Sequence, residues 1–449
     1  MNKKLLAALL ASTLSLSLFA SCGDKGGKDV ASGELSDELS PEDSASISIY
    51  HIYNEEIAES FVDGAAMMYA LDEFKKDYPN VEVEEIIVPD DWTQKLLTYS
   101  ASGDMPDVYQ EVTGTVLNTL VKNGSALPLD DVFSEEYLSK YLQDCLDTFR
   151  VDDKLYGVTL YTEVGSTVVY NKALWEEAGY SSFPETWDEI ITANDYFQGK
   201  GISTFALGDQ AQWIFRQCYF VTICNEFMGS EWFDQIGAKN PEAGYNNPEF
   251  INALTRAKSL GSLFNADWKS IIDTEATNQY LDGKAAASIN GNWIVSQVLY
   301  SESDYPDVVA NTGIAMFPGE TGALTQVSGG VGCGLSLSGD LAGQEGTAHY
   351  NAAVKLAEYV AGEPYNVYTK EHGMGPSMDV EANTDSLPAL SKEYLNMCDA
   401  VTYIPPFDRH GIDGQLDTVL SSVLQDVASG NMTPEDGAKL MQETYESLM

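Results

Sequence analysis

The chain is poor in positive charge. Its 449 residues hold 24 lysines and arginines against 69 aspartates and glutamates, a formal net charge of −45. So acidic a surface repels phosphate backbones and anionic lipid heads, which excludes nucleic acid and adhesion to such membranes. It does not specify a cationic ligand, because acids spread over a surface serve solubility. Histidine is scarce, and His51, His349, His372 and His410 show no metal-ligand spacing. Cysteine is scarce too. Apart from Cys22 there are Cys145, Cys218, Cys224, Cys333 and Cys398, with no CxxC pair among them. That odd set fits no complete disulfide framework, so free buried thiols are expected, with a Cys218–Cys224 bridge as the alternative. There is no GxSxG elbow, HExxH or P-loop. A glycosidase-like carboxylate pair carries no information in so acidic a chain. Asp408 to Gly414 is acid-rich but lacks the ligand periodicity of an EF-hand. No repeat of solenoid length is present. No catalytic residue, metal site or cofactor is expected.

What is present is enough apolar material, 44% hydrophobic and 11% aromatic, to fill the two cores that this length implies. Lys3 and Lys4 open a leader whose apolar run, Leu5 to Phe19, falls short of the ~20 residues of a membrane span. Residues 1–21 therefore read as a signal peptide. Phe19-Ala20-Ser21-Cys22 resembles a bacterial lipobox, in which Cys22 is lipidated and becomes the mature N-terminus. A plain signal peptide with an incidental cysteine is the alternative. Residues 22–45 are polar, rich in Gly, Ser and acids, and read as a flexible tether spanning roughly 25 Å.

Strands and helices then alternate, which predicts a layered α/β fold. Ser46 to Tyr53 is a strand ending at Asn54 and Glu55. Met67, Leu71 and Phe74 mark a helix, and Val81 to Val88 a second strand. Val108 to Val112 is a third, ending near Glu111. Leu155 to Tyr161 reads as a strand, interrupted at Glu163 and Gly165 before a second run, Thr167 to Tyr170. Asn171 opens a short helix closed by Gly179, and Thr186 with Glu189 forms a capping box for the next. Residues 252–264 are helical, and Thr433 caps the last helix with Pro434 at its first position.

Several of these pieces carry a resemblance. Lys154-Leu155-Tyr156-Gly157-Val158, Tyr170-Asn171-Lys172 and Pro184-Glu185-Thr186-Trp187-Asp188-Glu189 occur in the order and spacing of the extracellular solute-binding proteins that deliver sugars to ABC importers, the maltose-binding protein family. Gly103-Asp104-Met105-Pro106-Asp107-Val108 and Ser288-Ile289-Asn290-Gly291-Asn292-Trp293 extend the resemblance over most of residues 46–449. It implies a two-lobed, periplasmic-binding-protein-like α/β fold with a hinge and an inter-lobe ligand cleft. The chain would cross between lobes about three times, with residues 46–160 plus 328–374 as the first lobe and 161–327 plus 375–449 as the second. It also implies a monomeric protein outside the cytoplasmic membrane, held there by its lipid anchor alone, with ABC permease subunits as partners.

A sugar offers hydroxyls at its rim and weakly apolar C–H faces, so its site needs aromatic plates and planar polar groups in a concave place. Trp293 matches the family's sugar-contacting tryptophan, with core packing as the alternative. Trp213 and Phe407 are weighed in the same way, while Trp92 and Tyr53 lean toward core or surface. Glu55, Glu111, Glu163 and Asp408 are the candidate acceptors, with Asn54, Asn290, Asn292 and Arg409 beside them. The expected function is capture of a sugar or oligosaccharide, without catalysis. A secreted glycoside-processing enzyme and a binder of a non-sugar solute such as a polyamine are the alternatives.

Overall fold

A computed structural model of the protein describes residues 38–449. The leader 1–21, Cys22 and the first part of the expected tether lie outside the described residues. The last part of that tether is held against the body. Leu39 is buried in the first core, the Ser40 N–H donates to the Asp43 carboxylate at 2.8 Å, and the Asn80 side chain donates to the Pro41 carbonyl at 3.1 Å. One apolar side chain in a polar run is enough to seat the chain ahead of its first strand, Ala45–His51.

That strand sits inside a sheet of order Val81–Ile87, Ala45–His51, Val108–Glu111, Gly334–Leu337, Val158–Thr159. The first three strands are parallel, and Gly334–Leu337 returns antiparallel to both of its neighbours. Alternation along Ala45–His51 sends Ile47 and Ile49 to a core with Met67, Leu71 and Phe74 of the helix Val62–Asp77. Tyr50 points to the other face, among Leu96, Tyr109 and Leu120. Helices on both faces of a mostly parallel sheet make this an α/β lobe.

A second sheet has the order Thr312–Ala315, Thr167–Asn171, Ala285–Asn290, Ser203–Ala206. Its core holds Trp175, Trp187, Phe205, Tyr219, Leu254 and Leu424. Tyr161 belongs to the first core and Val164 to the second; Val327 belongs to the second and Val331 to the first; Val380 belongs to the first and Leu390 to the second. The fold is thus two-lobed. A small sheet of Thr402–Ile404, Gln326–Val331 and Thr162–Val164 lies where the chain passes between the cores.

The capping residues act as their sequence suggests. Asn171 Oδ1 accepts from the Leu174 N–H, Thr186 and Glu189 bond reciprocally, and Thr433 Oγ1 accepts from the Asp436 N–H. Three elements differ. Glu163, expected at an interruption between two strands, lies inside the strand Thr162–Val164 and pairs with Gly330. The helix expected from residue 252 begins at Pro248, because Asn247 caps it by accepting from the Phe250 N–H at 2.8 Å. The apolar run Leu155 to Tyr161 is not one strand. Lys154–Leu155 folds back onto Arg150–Val151 around Asp152 and Asp153, both at positive φ, while Val158–Thr159 joins the first sheet. One run serves two ladders, so it must bend between them. Cys145, Cys218, Cys224, Cys333 and Cys398 are all free, so the alternative of a Cys218–Cys224 bridge is not realised. Among the described residues no helix is long and apolar enough to cross a membrane.

Candidate functional site

Parallel strands deliver their carboxyl ends to the edge of a sheet, where an open α/β fold places ligand groups. Val108–Glu111 ends in Glu111, which is 0% exposed. Ser336 Oγ donates to Glu111 Oε1 at 3.0 Å, while Oε2 has no hydrogen-bond partner. Burial pushes this carboxyl up to about 8, against smaller downward pulls from Ser336 and Arg409. Glu163, in the crossing strand Thr162–Val164, is also raised by burial; Arg409 pulls it down while Asp408 and Asp63 push it up. Arg409 stands on the short helix Phe407–His410 and donates from Nη1 to the Val331 carbonyl. Its Nε has no partner. Asp63, in the first turn of Val62–Asp77, is 8% exposed, raised by burial, and has a partnerless Oδ1.

The second lobe contributes the end of Ala285–Asn290 and the start of the helix Trp293–Tyr300. Asn290 Oδ1 accepts from the Gly291 N–H at 2.9 Å and lies 3.9 Å from Cys218 Sγ. Asn292 is buried, and neither atom of its carboxamide has a partner. The Trp293 indole folds back over Gly291, where a Cβ would stand 1.9 Å from the ring, so only glycine fits there. Trp213 tilts against it with centroids 5.6 Å apart and planes at 49°. The Trp293 N–H leans toward Asp273, whose carboxyl is raised by burial, but makes no hydrogen bond of ordinary geometry. The Cys218 thiol feels both Glu163 and Asp273, which puts those carboxyls in one neighbourhood.

The lobes touch along Gly114 and Thr115. A Cβ on Gly114 would lie 2.7 Å from the Asp408 carbonyl oxygen, and Thr115 Oγ1 donates to the Ile412 carbonyl at 3.3 Å. Tyr300 of the second lobe feels Asp63 of the first. Between Glu56 and Phe61 on one side and Thr277, Gln297 and Tyr300 on the other lies a groove of about 540 Å³. A larger hollow of about 770 Å³, beside Tyr69, Tyr359 and Tyr368, shares no residue with this set.

The sequence candidates thus fall into groups. Arg409 acts electrostatically on Glu111 and Glu163, and Asp408 acts on Glu163 and Arg409. Asn290, Asn292 and Trp293 stand at the end of Ala285–Asn290 and the start of the helix after it, and Trp213 and Trp293 are partly buried against the second core. Asn54 is occupied otherwise: its Oδ1 accepts from the Ile57 N–H at 2.8 Å as the cap of the helix Glu55–Ser60, and Glu55 is exposed on that helix. Phe407 is a correction. It is buried in the second core, edge-on to Phe233 at 6.2 Å, and offers no open face. Asp63 and Asp273 were not anticipated. The signal for both is an acid in the first helical turn, which ordinarily means no more than favourable interaction with the helix dipole.

The family model for bacterial extracellular solute-binding proteins matches residues 58–367. The chain belongs to that family. Its buried polar ends, set where two lobes meet, are in keeping with a solute-binding protein. An ABC transporter extracellular-binding protein of Pyrococcus horikoshii is 23% identical over 65% of this chain, and the chain spans only 65% of that relative's length. A solved chitin oligosaccharide binding protein superposes with a TM-score of 0.79 at 22% identity, covering 90% of this chain and 99% of that one. A maltose-bound protein of T. maritima superposes with a TM-score of 0.74 at 19% identity, covering 90% of this chain and 100% of the other. At such identities the likeness speaks for the two-lobed solute-receptor fold.

Proposed function

We propose that this solute-binding protein captures a sugar or oligosaccharide between its lobes and presents it to the permease of an ABC importer. One observation carries the reading. Glu111 Oε2, Asp63 Oδ1, both carboxamide atoms of Asn292, Trp293 Nε1 and Arg409 Nε are buried polar atoms without partners, carried by segments of both lobes. Buried polar groups are almost always hydrogen-bonded, and a group left over calls for an explanation. A solute that presents hydroxyls in several directions and a C–H face to the indoles provides it. The structural relatives named for chitin oligosaccharide and maltose support the same substrate class.

In this reading the first lobe comprises residues 46–161 plus 331–380 and the second residues 164–327 plus 390–449, each bound moved from the sequence expectation to where the chain leaves one core for the other. The solute stabilises the closed arrangement because closure adds contacts from the second lobe. Cys22, lipidated, tethers a monomer outside the membrane, and the permease reads the closed surface. The test is a thermal-shift screen of the full chain against mono- and oligosaccharides, amino acids and polyamines, with hits recovered and inspected for cleavage. A ligand at 100 times its Kd adds about 2.7 kcal/mol to stability. A sugar that raises the melt and returns intact supports the reading. A cleaved sugar, or shifts with non-sugars alone, overturns it.

A further inference from the structure

Cations are scarce around the carboxyls of this site. Asp63, Glu111, Glu163 and Asp273 converge on it, and among the described residues Arg409, which acts on Glu111 and Glu163, is the one cation acting on these four. Arg409 is itself engaged, through Nη1, by the Val331 carbonyl. Asp63 and Asp273 have no cation among the groups that act on them. Burial without counter-charge raises these carboxyls toward their protonated forms, Glu111 to about 8; a cation on the solute draws them back to carboxylates, whereas hydroxyls supply no charge. Two of the oxygens, Asp63 Oδ1 and Glu111 Oε2, also lack any donor.

A second feature points the same way. Trp213 and Trp293, both partly exposed at the edge of the second core, pack against each other with centroids 5.6 Å apart and planes inclined at 49°, and the Asp273 carboxyl lies beside the Trp293 N–H. Two inclined indole faces with an adjacent carboxylate suit a cation, which the ring quadrupoles attract, as well as the C–H face of a sugar.

We propose that the solute is a sugar carrying a free ammonium group, an amino sugar, in which the ring stacks on Trp213 and Trp293 and the ammonium meets the unpaired carboxylates between the lobes. This rests on the carbohydrate reading and narrows it. The ammonium takes the donor role at Asp63 and Glu163, and the ring hydroxyls take the Asn292 carboxamide and Arg409 Nε. Acetylating the amine removes the charge, so N-acetyl sugars are poor ligands.

The experiment titrates the full chain, by calorimetry and thermal shift, with matched sets differing only at the C2 substituent: glucose, glucosamine and N-acetylglucosamine, and their β-1,4-linked di- and trisaccharides. Spermidine serves as a cationic non-sugar. The amino member of a set should bind at least tenfold tighter than its neutral counterparts. That preference should shrink in 0.5 M salt. Asp63→Asn and Glu163→Gln should each lower amino-sugar affinity about tenfold while changing neutral-sugar affinity much less, with circular-dichroism melts verifying that both variants fold. Equal or tighter binding of the hydroxyl or acetamido member overturns the inference and leaves the carbohydrate reading standing. Response to spermidine alone overturns both, and response to no member of these sets overturns the inference.

Discussion

Gly114→Ala tests whether the lobes must meet where Gly114 approaches Asp408. Gly114 has φ +79° and ψ −133°, a region close to glycine-only, so an alanine there costs ~1–3 kcal/mol in backbone strain alone. Its Cβ would stand 2.7 Å from the Asp408 carbonyl oxygen and 2.9 Å from Arg409 Cα. Both are backbone atoms and cannot rotate aside, so the lobes must part by several tenths of an ångström. The segment pushed away carries Asp408 and Arg409, whose charges reach Glu163. The variant should therefore lose stability by ~1–3 kcal/mol and ligand affinity by about 10- to 100-fold, or ~1.4–2.7 kcal/mol. Gly124→Ala separates the two effects: Gly124 also has positive φ, +72°, but nothing lies within 4 Å of its Cβ position. It should lower the melt and leave binding alone. Calorimetry with the best sugar reads affinity, and small-angle scattering with saturating sugar reads the opening. If Gly114→Ala binds as tightly as the natural protein, or Gly124→Ala weakens binding equally, the closure argument fails.

Trp293→Ala should weaken sugar binding by on the order of 1–3 kcal/mol, about 5- to 150-fold in Kd, with folding largely kept; affinity unchanged with a lowered melt would make the indole a core residue. Glu111 holds a proton in the folded protein at pH values between its ordinary 4.5 and about 8, where the unfolded chain has lost it, so it contributes a fall in stability as pH climbs through that window. Glu111→Gln keeps an acceptor for Ser336 and should flatten that fall by up to a few kcal/mol, gaining on the natural protein at pH 9 relative to pH 5; parallel denaturation profiles at the two pH values would sink the assignment. Cys22→Ser should move the protein from the membrane fraction to the soluble exported fraction and abolish fatty-acid labelling. An unlabelled, soluble natural protein would contradict the anchor.

What was legible in the sequence was local. Asn171, Thr186 with Glu189, and Thr433 cap helices through bonds spanning three residues, so chemistry and spacing are visible together. Alternation along residues 46–51 shows which side chains face which core for the same reason. Glu111 could be singled out because it ends a strand that local pattern marks, and Glu163 and Trp293 because the segments around them resemble the family's; whether they touch a solute is for the binding experiments. Phe407 marks the limit. An aromatic residue just before a helix looks the same whether its ring faces a cleft or packs on Phe233, and the partner that decides it is remote in sequence.

Charge state was the least legible property, because it is made by convergence. Among 69 acids, nothing near Glu111 marks it as raised to about 8. Its hydroxyl donor is Ser336, 225 positions away, and its cation is Arg409, on a helix reached only after the chain has passed between the cores. Asp63 and Asp273 stand in first helical turns, where an acid is unremarkable. They become unusual only when burial removes water and no base arrives with them. A carboxylate's chemistry at such a site is therefore set by what the fold withholds as much as by what it supplies. At Asp63 and Asp273 the counter-charge is what is withheld, and the matched neutral and amino sugars measure whether the solute restores it.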